Sequence, residues 1–84
     1  MNLIIDISEK PCLILKQGIE KIDKYQWDGL FKLSETLIKE IDKFLKKNKV
    51  KLEQIKDIKV IPNKKSEVST RIARAVALGL KHDI

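Results

Sequence analysis

At 84 residues the chain has room for one small domain, near the lower limit of what a single core stabilises unaided. An apolar share of 43% excludes a disordered chain despite 36% charged residues, and four aromatics leave the core to Ile, Leu and Val. The net charge of +6 is lopsided: residues 1–45 hold seven lysines against eight acids (−1), and residues 46–84 hold eleven basic residues against four acids (+7). A basic half suits nucleic acid or an acidic partner surface, or is simply a solvated lysine face.

The chain opens with Leu3-Ile4-Ile5-Asp6-Ile7, a short β-branched run that reads as a buried strand, broken at Ser8-Glu9-Lys10-Pro11. A second strand is predicted over Cys12–Lys16, and Gln17-Gly18 turns it into a third. Residues 19–27 are ambiguous. Ile19, Ile22 and Tyr25 recur near helical spacing while Tyr25 and Trp27 alternate, and a strand is chosen because a hairpin needs its second arm. Leu30, Leu33, Leu37, Ile41, Phe44 and Leu45 then form one apolar stripe of a long helix. Asp28 and Ser34 are its candidate N-caps, and Lys46-Lys47-Asn48-Lys49 suits its C-terminus. A connector with Leu52 tucked inward leads to a fourth strand, Ile58–Ile61, ended by Pro62. The last helix is predicted over Ser66–Lys81, with Ser66 as N-cap. The order β-β-β-α-β-α implies an α/β fold: an antiparallel meander, then a crossover that lays strand 4 parallel to strand 1, giving a mixed four-stranded sheet in the order 3-2-1-4 with two helices.

The chemistry is sparse. Cys12 is the only cysteine and sits in an apolar run, so it reads as a small buried hydrophobe in a reducing compartment. His82 lies at the tail beside Asp83 and reads as part of a frayed terminus. Asp6 reads as a strand-terminal carboxylate bonding nearby backbone, with no second carboxylate to share a metal. The remaining acids interleave with lysines as helix surface pairs. Glycines at 18, 29 and 79 are too scattered for a phosphate cradle, although Ile58–Leu80 has the strand–turn–helix form of one. No enzyme activity, metal or cofactor is expected, and with no signal or membrane-spanning stretch the expected setting is the cytoplasm.

These residues, in this order, resemble the N-terminal half of the TsaB family, inactive members of the actin/Hsp70-like superfamily that serve tRNA threonylcarbamoyladenosine (t6A) synthesis. The family's opening Ile-Asp-Thr-Ser corresponds to Ile5-Asp6-Ile7-Ser8. Its helix signature His-Ser-x-x-Leu-Leu corresponds to Leu33-Ser34-Glu35-Thr36-Leu37-Ile38, and its Asp-hydrophobe strand to Asp57-Ile58-Lys59-Val60, after the connector Val50-Lys51-Leu52. The family's Gly-Pro-Gly-Ser-Phe-Thr-Gly-Leu-Arg-Ile-Gly falls without gaps on Asn63–Ala73. Ser66, Arg71 and Ile72 are kept, the loop glycines become Asn63, Lys65 and Ser69, and Phe-Thr becomes Glu67-Val68.

The resemblance implies half of an RNase H-like/actin-like domain: residues 1–84 as one truncated TsaB-like N-terminal lobe, with strand 4 an edge and a partner needed for stability. It implies a non-catalytic scaffold that binds a TsaD-like catalytic subunit, in a heterodimer or larger complex, and touches tRNA only through that complex. A homodimer through the same helical surface is the expected state alone. The partner-binding residues implied are Leu37, Ile41, Phe44, Leu45, Ile72, Ala73, Val76 and Leu80, with Ala73, Ala75, Ala77 and Gly79 small enough for close helix approach. The alternative is a small RNA-binding module using Lys64, Lys65, Arg71 and Arg74. Aromatics near these four are expected to be lacking, which argues against single-strand stacking.

Overall fold

The computed structural model describes residues 1–82, with side chains through Lys81. Four strands, β1 (Asn2–Asp6), β2 (Cys12–Gln17), β3 (Glu20–Gln26) and β4 (Asp57–Ile61), form one sheet in the order β3-β2-β1-β4. β1 pairs antiparallel with β2 and parallel with β4, and β2 pairs antiparallel with β3. Helices α1 (Leu33–Lys47) and α2 (Glu67–His82) pack against each other. The expected element order, strand order and crossover are all present, so the third strand is real.

Strand alternation sends Leu3, Ile5, Leu13, Leu15 and Ile58 into one buried layer, closed by Leu33, Leu37, Ile41, Phe44 and Leu45 of α1 and by Ala73 and Ala77 of α2. Leu3, Ile5, Leu13, Leu15 and Leu37 are fully buried, so truncating any one of them to alanine costs about 2–5 kcal/mol. The opposite face of the sheet has no helix from the described residues. Its central row, Lys59–Ile4–Ile14–Lys24, sets two half-buried isoleucines between lysines whose aliphatic stems can shield them.

Turn chemistry follows local rules. Gly18 adopts φ 63° while Ile19 keeps negative φ, as a two-residue hairpin loop with glycine first requires. A register shift after Leu15 marks a bulge in the β2–β3 pairing.

Both expected caps of α1 are wrong. The chain enters α1 through a 3₁₀ turn, Leu30–Lys32, and Lys32 occupies the N-cap with no side-chain cap bond. Asp28 is drawn away to Lys10, 3.4 Å distant, and Ser34 lies inside the helix. Instead Gly29, at φ 155°, turns the chain beside Trp27, where an added Cβ would sit 3.4 Å from the indole. At the other end α1 closes in a Schellman arrangement: the Val50 N–H donates to the Leu45 carbonyl (2.9 Å) and the Lys49 N–H to that of Lys46 (3.1 Å). This puts Lys49, not glycine, at φ 56°. Leu52 is half-buried against the core, as expected.

Candidate functional site

The joint between β4 and α2 is organised by one side chain, Asn63. Its Nδ2 donates to the Ile7 carbonyl at 2.9 Å, and its Oδ1 accepts the backbone N–H groups of Lys65 (2.8 Å) and Ser66 (3.1 Å). Its backbone is held as well: the Asn63 N–H donates to Thr70 Oγ1 (3.0 Å), and that hydroxyl lies 3.2 Å from the Asn63 carbonyl. An amide oxygen facing two N–H donors and an amide nitrogen facing a carbonyl admit only one orientation. Two of the N–H groups that a glycine loop would offer to phosphate, those of Lys65 and Ser66, are therefore taken by the chain itself. Ser66 caps α2 as expected, accepting the Ser69 N–H at 3.3 Å while its hydroxyl bonds Ser69 Oγ at 2.8 Å.

Asp6 behaves as read: Oδ1 accepts the Ser8 N–H (2.9 Å) and hydroxyl (2.6 Å). Cys12 is buried, and burial, the largest influence on its thiol, raises its pKa. Acid–base pairs along the helices are the expected surface kind, Lys46–Asp42 at 2.9 Å and Arg71–Glu67 at 3.0 Å. The side chain of His82, and Asp83, lie outside the described residues. Among the described residues, no three His, Cys, Asp or Glu side chains gather as metal ligands, and no helix is long and apolar enough to cross a membrane.

The eight residues expected at a partner surface divide by depth. Leu37, Ile41, Phe44, Leu45 and Ala73 are all buried in the core, a correction to their expected place on an open surface. Ile72 and Val76 are half-buried against that core. Ile41, Leu45 and Leu80 line an open apolar groove of about 350 Å³ beside Ile38, Val50 and Leu52, rimmed by Asp42, Lys46 and Lys51. Ile38, absent from the expected set, is 59% exposed there. The small residues of α2 divide too: Ala73 and Ala77 point into the core, Ala75 and Gly79 outward.

The four basic residues do not form one patch. Lys64 and Lys65 stand on the turn after β4, Arg71 is ion-paired with Glu67, and Arg74 lines a separate groove with β4 and Lys81. The expectation that no aromatic lies near them is also corrected. Phe31 lines the same groove as Lys64 and Lys65, brought there by the 3₁₀ turn before α1.

A half-buried carboxylate, Asp23, ties two elements together away from these grooves. Asn48 Nδ2 donates to Asp23 Oδ2 (3.1 Å) and to the Phe44 carbonyl (2.9 Å), tying the end of α1 to β3. The Asn48 bond, then the Lys24 N–H, hold the Asp23 carboxyl below its usual range against opposing desolvation, with Lys47 at 3.5 Å helping.

No family model matches the chain, and no curated protein matches it. Among solved structures it is similar to YeaZ from Pseudomonas aeruginosa, with a TM-score of 0.72 and 20% sequence identity. The match covers 99% of this chain and 40% of that chain. At this identity the likeness concerns the fold alone, an α/β arrangement with a mixed four-stranded sheet and two helices that is consistent with a partial RNase H/actin-like fold.

Proposed function

We propose that this chain is a TsaB-like scaffold, without catalytic activity of its own, that binds a TsaD-like catalytic subunit across the α1–α2 groove and so supports t6A formation on tRNA. It forms one lobe, residues 1–84, and pairs with a second copy through the same surface when the partner is lacking. The tRNA substrate of t6A formation is met through the complex, in the cytoplasm, and no cofactor is held.

The observation that carries this reading is the groove itself. Ile41 and Leu45 form part of its wall, Leu80 and Ile38 expose apolar surface to it, and Asp42, Lys46 and Lys51 supply a polar rim. An apolar centre with a charged rim is the form of a protein–protein surface. The TsaB-like fold supports the identity of the partner, and the 40% coverage keeps the role to that of a lobe. Asn63 supports the lack of catalysis, since it occupies two of the backbone donors a phosphate would use there.

Co-expression with the TsaD-like protein of the same organism tests this. The two should co-elute from size exclusion, and Ile38→Glu should abolish co-elution without unfolding the chain. Separate elution, with t6A formation by the TsaD-like protein unchanged when this chain is added, would refute the proposal.

A further inference from the structure

An open groove of about 780 Å³ lies at the carboxyl ends of β1 and β4, the position where open α/β sheets receive ligands. Leu30, Phe31, Ile61 and Pro62 give it an apolar lining, and Lys64 and Lys65 lie along it. Phe31 is fully exposed, at 102%, because the core is closed by Leu33 and Leu30 on either side of it. An exposed aromatic ring beside two exposed lysines, neither in an ion pair among the described residues, combines a stacking platform with phosphate-binding charge.

We propose that this groove binds single-stranded RNA, one base stacking on Phe31 and the adjoining phosphates lying against Lys64 and Lys65. The site differs from the α1–α2 groove and does not depend on the scaffold role. Two observations select this ligand. The Lys65 and Ser66 amides are bonded to Asn63 Oδ1 and so are not offered to a lone phosphate, which leaves stacking and side-chain charge as the main sources of affinity. Glu9, which also lines the groove, can accept a hydrogen bond from a ribose 2′-hydroxyl or a base amino group, an acceptor role that free phosphate cannot use. A duplex keeps its bases stacked internally and offers Phe31 nothing.

The test is fluorescence anisotropy of a labelled ten-nucleotide RNA titrated with the full chain across a salt series. With two phosphates engaged, the slope of log affinity against log salt should be about −1.4. Phe31→Ala should weaken binding roughly 5- to 150-fold, the range for loss of one stacked base. Phe31→Trp should bind at least as well as the parent, and Lys64→Ala with Lys65→Ala should flatten the slope toward zero. Ile38→Glu, in the other groove, should bind RNA normally. All variants replace exposed side chains, and unchanged circular dichroism checks their folding. The proposal is overturned if no saturable binding appears at low salt, or if duplex RNA binds equally. It is also overturned if Phe31→Ala has no effect, or if Phe31→Leu binds like the parent, which is the behaviour of an apolar peptide contact.

Discussion

Replacing Asn63 by alanine removes three hydrogen bonds at once: to the Ile7 carbonyl, and from the Lys65 and Ser66 N–H groups. At about 1 kcal/mol net for each bond, the sum is about 3 kcal/mol. Lys65 is exposed and Ser66 only half-buried, so water can recover part of two of them, while the Ile7 carbonyl bond is buried and its loss is felt in full. The expected cost is therefore about 2–3 kcal/mol, a large share of the ~5–15 kcal/mol that holds a domain together. For a chain of this size that lowers the thermal midpoint by roughly 8–24 °C. Urea unfolding followed by circular dichroism should show a lower midpoint with an unchanged slope, since the surface exposed on unfolding is the same. Ser66→Ala is the internal standard: it loses an N-cap contact worth about 1 kcal/mol and leaves the Asn63 bridge intact. If Asn63→Ala costs less than Ser66→Ala, Asn63 does not organise the joint, and the claim that it has displaced a phosphate ligand falls with it.

Lys49→Gly should stabilise the protein by roughly 0.5–1 kcal/mol, because the Schellman position needs positive φ and lysine is strained there. Urea midpoints of the two proteins decide it, and an unchanged or lower midpoint would contradict the geometry. The Asp23 carboxyl is held below its unfolded range, so its contribution to stability is present above the unfolded pKa and is lost as pH falls through the folded one. The stability gap between the parent and Asp23→Asn should therefore be open at pH 7 and narrow as the solution is acidified below about pH 4. A gap independent of pH would show that the Asn48 contact does not depend on charge.

Features with a period were legible from the sequence. The β-branched run Leu3–Ile7 and the α1 stripe gave strand, helix and, with the order of elements, the topology, because such local signals involve neighbours only a few positions apart. Contacts between distant segments were not. Asn63 reads locally as a turn residue, and nothing near it announces a bond to Ile7 across the sheet. Phe31 and Lys64 are far apart in sequence and line one groove only because the entry to α1 and the exit of β4 share one end of the fold. The caps of α1 were misread for a related reason: Asp28 and Ser34 are good capping types, but the packing of Gly29 against Trp27 fixes where the helix begins. A single apolar stripe cannot say how deep each of its members lies: Leu37, Ile41, Phe44 and Leu45 are all buried, and the exposed apolar side chain on this helix is Ile38, just off the stripe.

The placement of β1 also sets an order in time. One neighbour, β2, is joined to it by a short turn, whereas the other, β4, brings Asn2 to Asp57 across most of the chain. Closing a loop of about 50 residues instead of about five costs roughly 2 kcal/mol more in chain entropy. The three-stranded meander and α1 can thus assemble from local contacts, while β4 and α2 dock late and from a distance. Since Asn63 bonds Ile7 only after that docking, the joint is among the last contacts made during folding. Weakening it should accelerate unfolding far more than it slows folding.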